Sequence, residues 1–208
     1  MAAKTKFTED DILDGAERVV GTRGLDGASI AHIAESIGAP NGSIYHRFAS
    51  KQHLLGALWV RIATAYRDVL LTALDADDRD IAAKAVSCTF DWVERNSTRA
   101  ELLMRFRTED FIEADWPTEV VDQIKATNAT LVANLATVAT RLNVDVLDMI
   151  LAVIDIPAAF ARRSILLNDA KSNEHLRRRA SQLSESLLAP REPSVGRTPN
   201  VRSVTRKQ

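Results

Sequence analysis

Residues 29–51 read SIAHIAESIGAPNGSIYHRFASK, and this stretch decides the fold. Ile30, Ile33, Ala34 and Ile37 recur at helical spacing and give a short helix one apolar face. Ser29 stands at its N-cap, where a hydroxyl accepts from a free amide of the first turn. Gly38 follows the last periodic residue, the place of a left-handed C-cap. Pro40 is expected at the first position of a second helix, because it has no N–H to leave unpaired there. That helix, Asn41 to Phe48, is expected to bury Ile44, Tyr45 and Phe48 and to turn Asn41, Gly42, Ser43, His46 and Arg47 outward. A small Ala34, a glycine four residues on and Ile44 six beyond make a helix-turn-helix frame.

Asn, Ser, Tyr, His and Arg can all donate to phosphates or base edges, so the exposed side suits DNA. The competing reading is a plain helical hairpin inside an all-helical core, which has no need of a short helix with so many exposed donors. Residues 8–59 resemble the N-terminal domain of the TetR family of transcriptional regulators. The resemblance rests on Gly24 and its short linker, Ser29-Ile30, Ile33-Ala34 and Gly38. It continues through Gly42-Ser43-Ile44-Tyr45-His46-Arg47-Phe48 and Lys51 with Leu54-Leu55. It implies an all-α chain that forms a dimer on a palindromic operator. Its N-terminal three-helix helix-turn-helix domain is followed by a larger helical ligand-binding and dimerisation domain. Past residue 60 the family has no shared motif, so the rest is read from the residues themselves.

The chain has 208 residues, 46% hydrophobic and 26% charged, which suits a packed soluble core. Formal net charge is -1, so overall charge does not point to nucleic acid. The first 50 residues carry five Lys/Arg against seven Asp/Glu, a departure from the basic footprint of most DNA binders. Helix N-termini and hydroxyls also contact phosphates, so the reading stands with modest non-specific affinity expected. Cys88 is the single cysteine, which excludes an internal disulfide and fits a reducing, cytoplasmic setting. No secretory signal or membrane span is read, because the apolar run Met149 to Ala161 is broken by Asp155 and Pro157.

Residues 1–7 form an expected flexible arm, 8–51 the DNA-binding domain with its motif at 29–48, and 52–188 the effector and dimer domain. Residues 189–208 form a disordered basic tail, with five basic residues against Glu192 after Pro190. Thr8 caps helix 1, which is expected to end at Gly21 and Gly24. After the Ser50 cap a long helix to about Leu74 leaves the first unit and enters the second. Helices follow at about Ile81–Arg95, Thr98–Thr108 and Pro117–Leu142. From Asp145 a helix is apolar on nearly all sides, so it is expected to be buried on both. The last helix, about Ser172 to Leu188, has a single seam of Leu176, Ala180, Leu183 and Leu187, with Arg177, Arg178 and Arg179 as a solvated face.

The glycines make no phosphate-binding pattern, and His32, His46, His53 and His175 lack metal-ligand spacing, so no metal, cofactor or enzymatic centre is expected. Base-edge contacts are assigned to Asn41, Ser43 and His46, and phosphate contacts to Ser29, Tyr45 and Lys51. The resemblance carries Tyr45 and Lys51 most directly. Aromatics concentrated between Ile81 and Phe160 suggest walls of a ligand cavity, with Trp92, Phe106 and Phe160 as walls and Asn128, Asn134 and Asp155 as polar anchors. The plainer reading is that these aromatics fill the core. A two-fold dimer is expected through the last two helices, with Leu151, Ala158, Leu176, Leu183 and Leu187 at the interface. The expected function is a DNA-binding regulator, a repressor released by a small-molecule effector. The alternative is an all-helical small-molecule-binding or enzymatic protein that does not bind DNA.

Overall fold

The computed structural model describes residues 7–74, 80–105 and 117–189, and every regular element among them is helical. The order is α1 (Glu9–Gly27), α2 (Ile30–Ile37), α3 (Asn41–Tyr45), α4 (Lys51–Leu74), α5 (Ile81–Arg95), α6 (Ser97–Arg105) and α7 (Thr118–Leu142). Then α8 comprises Val146–Ile150, a π-turn Leu151–Asp155 and Ile156–Leu167, and α9 is Ala170–Leu188. Phe106, Phe111 and Trp116, the arm before Phe7 and the tail after Ala189 lie outside the described residues. No helix among the described residues is long and apolar enough to cross a membrane.

Local signals set the helix starts. Thr8 and Asp11 form a capping box, the Asp11 amide donating to the Thr8 hydroxyl at 3.1 Å and the Thr8 amide to the Asp11 carboxylate at 2.8 Å. Those bonds from Thr8 hold the Asp11 carboxyl below its ordinary range. Ser50 caps α4 as expected, accepting from the His53 amide at 3.0 Å. The first helix does not stop at Gly21. It runs to Gly27 with a break at Gly24 alone, where φ 69 and ψ 172 suit only a residue without Cβ. The break drops Leu25 into the core. The last helix starts at Ala170, two residues before the sequence expectation, because Asp169 takes the cap and accepts from the Ser172 amide at 2.9 Å.

A continuous core joins Ile12, Ile33, Ile44, Leu54, Leu58 and Ile62 to Leu70, Phe90, Ile124, Ala161 and Ala180. A second cluster gathers Ala73, Leu74, Ile81, Ala85, Leu135, Val138, Met149 and Val153. The helix α4 contributes to both. It is pinned to α5 by a buried bond between the Tyr66 and Thr89 hydroxyls at 2.9 Å, and Trp92 packs on Tyr66 with ring centroids 4.9 Å apart. Burial pushes the Tyr66 phenol up to about 12. Tyr66→Phe should lower unfolding stability by about 1 kcal/mol in urea titration, since it strands the Thr89 hydroxyl. An unchanged midpoint would show that the hydroxyl pair adds nothing net.

Two faces differ from the sequence reading. Arg177 is half-buried rather than part of a fully solvated face. Its guanidinium pairs with Asp91 and lies 5.9 Å over the Phe90 ring, so it clamps α9 onto α5. And α8 is not buried all round. Leu147 is 59% and Leu166 70% exposed, a band of apolar surface on a helix whose other side is core. The helix is interrupted by the π-turn, where the Ile156 amide donates to the Leu151 carbonyl five residues back, and Asp155 at its end is exposed.

Candidate nucleic-acid interface

Ser29 opens α2 as expected, accepting from the His32 amide at 3.2 Å, and the His32 ring donates from Nδ1 to the Gly27 carbonyl at 3.0 Å. Gly38 closes the helix at φ 64, ψ 30, and the Ala39 amide returns to the Ala34 carbonyl at 2.9 Å. Pro40 is the residue before the helix rather than its first, with ψ 142, so α3 begins at Asn41. Regular helix lasts only to Tyr45. A further turn carries the chain to Phe48, whose amide donates to the Ile44 carbonyl at 2.9 Å. Ile44 and Phe48 are the anchors that hold this short element on the core, and the Phe48 ring meets His53 edge-on.

The side chains assigned to DNA sort clearly. Asn41 and His46 are exposed and Ser43 is half-buried. Tyr45 is not on the buried side, as its place between Ile44 and Phe48 suggested. It is 56% exposed and shares the outward face with Asn41, four residues back. A Cβ at Gly42 would meet nothing within 4 Å, so open space lies in front of this face. The Ser29 hydroxyl is committed to its cap. Lys51 is half-buried and donates from Nζ to the Leu25 carbonyl at 3.1 Å, tying the start of α4 to the end of α1.

Behind this surface sits a charge cluster that sequence reading missed. Arg61 on α4 bonds Asp14 at 2.8 Å and Glu17 at 3.2 Å, and Arg99 on α6 bonds Glu17 at 2.6 Å. The Glu17 carboxylate draws the Arg99 guanidinium pKa still higher. Asp14, Glu17, Gly21, Thr98 and Arg99 line a groove of about 600 Å³ between α1 and α6. The acid excess of the first 50 residues is therefore partly neutralised by two arginines that lie beyond them. Asp10, Asp14 and Glu17 at helical spacing were the visible signal; their partners were not.

The residues assigned to an effector lie in different surroundings within the chain. Trp92 is buried against Tyr66, and Phe160 is partly buried against the main core. Asn128 is half-buried. Asn134 is exposed, its amide bonded back to the Thr130 carbonyl at 2.9 Å, because it falls off the Ile124–Leu135–Val138 stripe that α7 buries. Asp155 is exposed as well, at the end of the π-turn. Phe106 lies outside the described residues. Of the dimer assignments, Leu183 is 40% exposed, Leu151, Ala158 and Leu187 are half-exposed, and Leu176 instead packs on the core of its own chain.

The domain described as bacterial regulatory proteins of the tetR family matches residues 12–58. The HTH-type transcriptional repressor AcnR of Corynebacterium diphtheriae is 30% identical over 107 residues, 51% of this chain and 54% of that protein. The chain thus aligns with about half the length of the curated relatives it matches. Among solved structures, a transcriptional regulator from Rhodococcus sp. Rha1 superposes with a TM-score of 0.67 at 18% identity, covering 88% of this chain and 96% of that one. FadR of Bacillus subtilis, solved with stearoyl-CoA, gives 0.66 at 16% identity, covering 88% and 98%. The all-helical fold with its N-terminal helix-turn-helix is shared along nearly the whole chain. Residues 12–58 thus form a domain of the tetR family of bacterial regulatory proteins.

Proposed function

We propose that this chain is a cytoplasmic transcriptional repressor that binds a palindromic operator as a dimer and is released by a small-molecule effector. The carrying observation is the face of α3. A short helix is held by Ile44 and Phe48 alone and presents Asn41, Tyr45 and His46 to open space. A helix needed only for packing has no use for an exposed tyrosine between two buried residues. Asn41, Ser43 and His46 would read base edges, while Tyr45 and Lys51 would hold phosphates, Lys51 with the donors left after its bond to Leu25. The effector would lie near Trp92 and Phe160, beside the helix that links the two units. No observation favours an enzyme or a binding protein that ignores DNA.

The experiment is selection of duplexes from a random pool, followed by titration over a range of salt. Affinity should fall linearly with salt on logarithmic axes. Tyr45→Ala should weaken binding to every duplex by about 1–3 kcal/mol, and Lys51→Ala should also reduce the salt slope by about one ion. Operator affinity undiminished in both variants would remove α3 from the interface. A pool that enriches no sequence would remove the regulator reading itself.

A further inference from the structure

The Glu17 carboxylate on α1 is filled from two other helices. Its Oε2 accepts from Arg61 of α4 at 3.2 Å and its Oε1 from Arg99 of α6 at 2.6 Å. Charge-assisted bonds of this kind are short and strong, and each holds its donor helix against α1. One turn further along, on the same side of α1, the approach is closer still. A Cβ at Gly21 would lie 3.0 Å from Thr98 Cγ2, so the start of α6 rests on bare backbone of α1.

Both neighbours of this junction are themselves anchored. On one side, the Ala100 amide of α6 donates to the Asn96 carbonyl at 2.8 Å, and the Asn96 side-chain amide donates to the Trp92 carbonyl of α5 at 2.9 Å. On the other, α2 crosses α1 at Gly15, and α1 shares one core with α2 and α3 through Ile12, Ile33 and Ile44. Gly15, Glu17 and Gly21 thus fall within about 9 Å of a single helix, at 1.5 Å of rise per residue. Over so short a length a helix is stiff, and a tilt imposed at Gly21 is carried to α2.

We infer that Glu17 and Arg99 are positioning residues for operator binding: their ion pair, seated where Gly21 meets Thr98, sets the angle at which α1 holds α2 and α3 to the rest of the chain. The inference rests on the operator-binding reading above and deepens it. Neither side chain touches DNA. The pair narrows the directions in which Asn41, Tyr45 and His46 are presented, and an orientation excluded beforehand is one that binding need not freeze out. Two half-sites at fixed spacing demand this of both subunits at once; one half-site does not.

The test uses the full chain, at one salt concentration, on the selected operator and on a duplex with a single half-site. Arg99→Ala leaves Glu17 paired with Arg61, so no lone charge is stranded at the junction. It should bind the operator about tenfold more weakly and the half-site like wild type. A purely structural role would weaken both. Gly21→Cys with Thr98→Cys then restores the junction covalently, with Cys88→Ser to leave one disulfide possible. The two Cβ positions lie 3.7 Å apart, within the span of a disulfide, and Thr98→Cys removes the Cγ2 in the way. Added to Arg99→Ala, the oxidised pair should recover wild-type operator affinity and the reduced pair should not. Should the cysteine protein fail to fold by circular dichroism, Arg99→Lys replaces it and should recover the lost affinity. Arg99→Ala binding like wild type, an equal loss on both duplexes, or an oxidised form no tighter than the reduced one would overturn the inference while wild-type binding stands. A wild type that selects no duplex would overturn the operator reading as well.

Discussion

Leu183→Glu should turn the protein into a monomer that no longer holds its operator. Leu183 is 40% exposed on α9, so a single chain tolerates a charge there without disturbing its core. Across a four-helix interface the same charge is desolvated twice, once per subunit. With only one half-site engaged at a time, the avidity of a linked pair is lost, and operator affinity should fall by about 10²–10⁴-fold. Sedimentation gives the mass, and fluorescence anisotropy with a full and a half operator gives the affinity. The full and half sites should become equal for the variant. A variant of dimeric mass with unchanged affinity would put the interface on another surface.

The largest effect on folding should come from Phe90→Ala. Phe90 is 1% exposed at the centre of the main core, and its ring also supports the Arg177 guanidinium that joins α9 to α5. Removal leaves a cavity and takes away that support, and the expected loss is about 3–5 kcal/mol by urea unfolding. Because α9 belongs to the proposed interface, the loss should grow as the protein is diluted. A change below about 1 kcal/mol would mean the helices around Phe90 close the gap by collapse.

What could be read from the sequence was what acts over three or four residues. Thr8, Ser29 and Ser50 each bond an amide three residues on, and each was legible as a cap. The buried Ile33, Ala34 and Ile44 followed from spacing alone. Features made by distant partners were not legible. Arg99 reaches Glu17 across 82 positions and Arg177 reaches Asp91 across 86, and neither spacing nor composition announces such a pairing. Gly15 is another case. A Cβ there would lie 2.5 Å from Ile37 Cγ2, so the residue is small because α2 crosses α1 at that point. The exposure of Asp155 was not legible either. Asp155 stands in sequence between Ile154 and Ile156, yet it is exposed at the end of a π-turn that no local signal announced.

The cluster of Asp14, Glu17, Arg61 and Arg99 bears on how operator binding should be measured. It joins α1 to α4 and to α6 through side chains that are only partly shielded from water. Mobile ions screen such pairs, just as they compete with the protein for phosphates. Raising ionic strength on this protein therefore loosens the mounting of the reading head while it also weakens the grip on DNA. A count of phosphate contacts taken from the salt slope is accordingly an upper bound, inflated by whatever the mounting contributes.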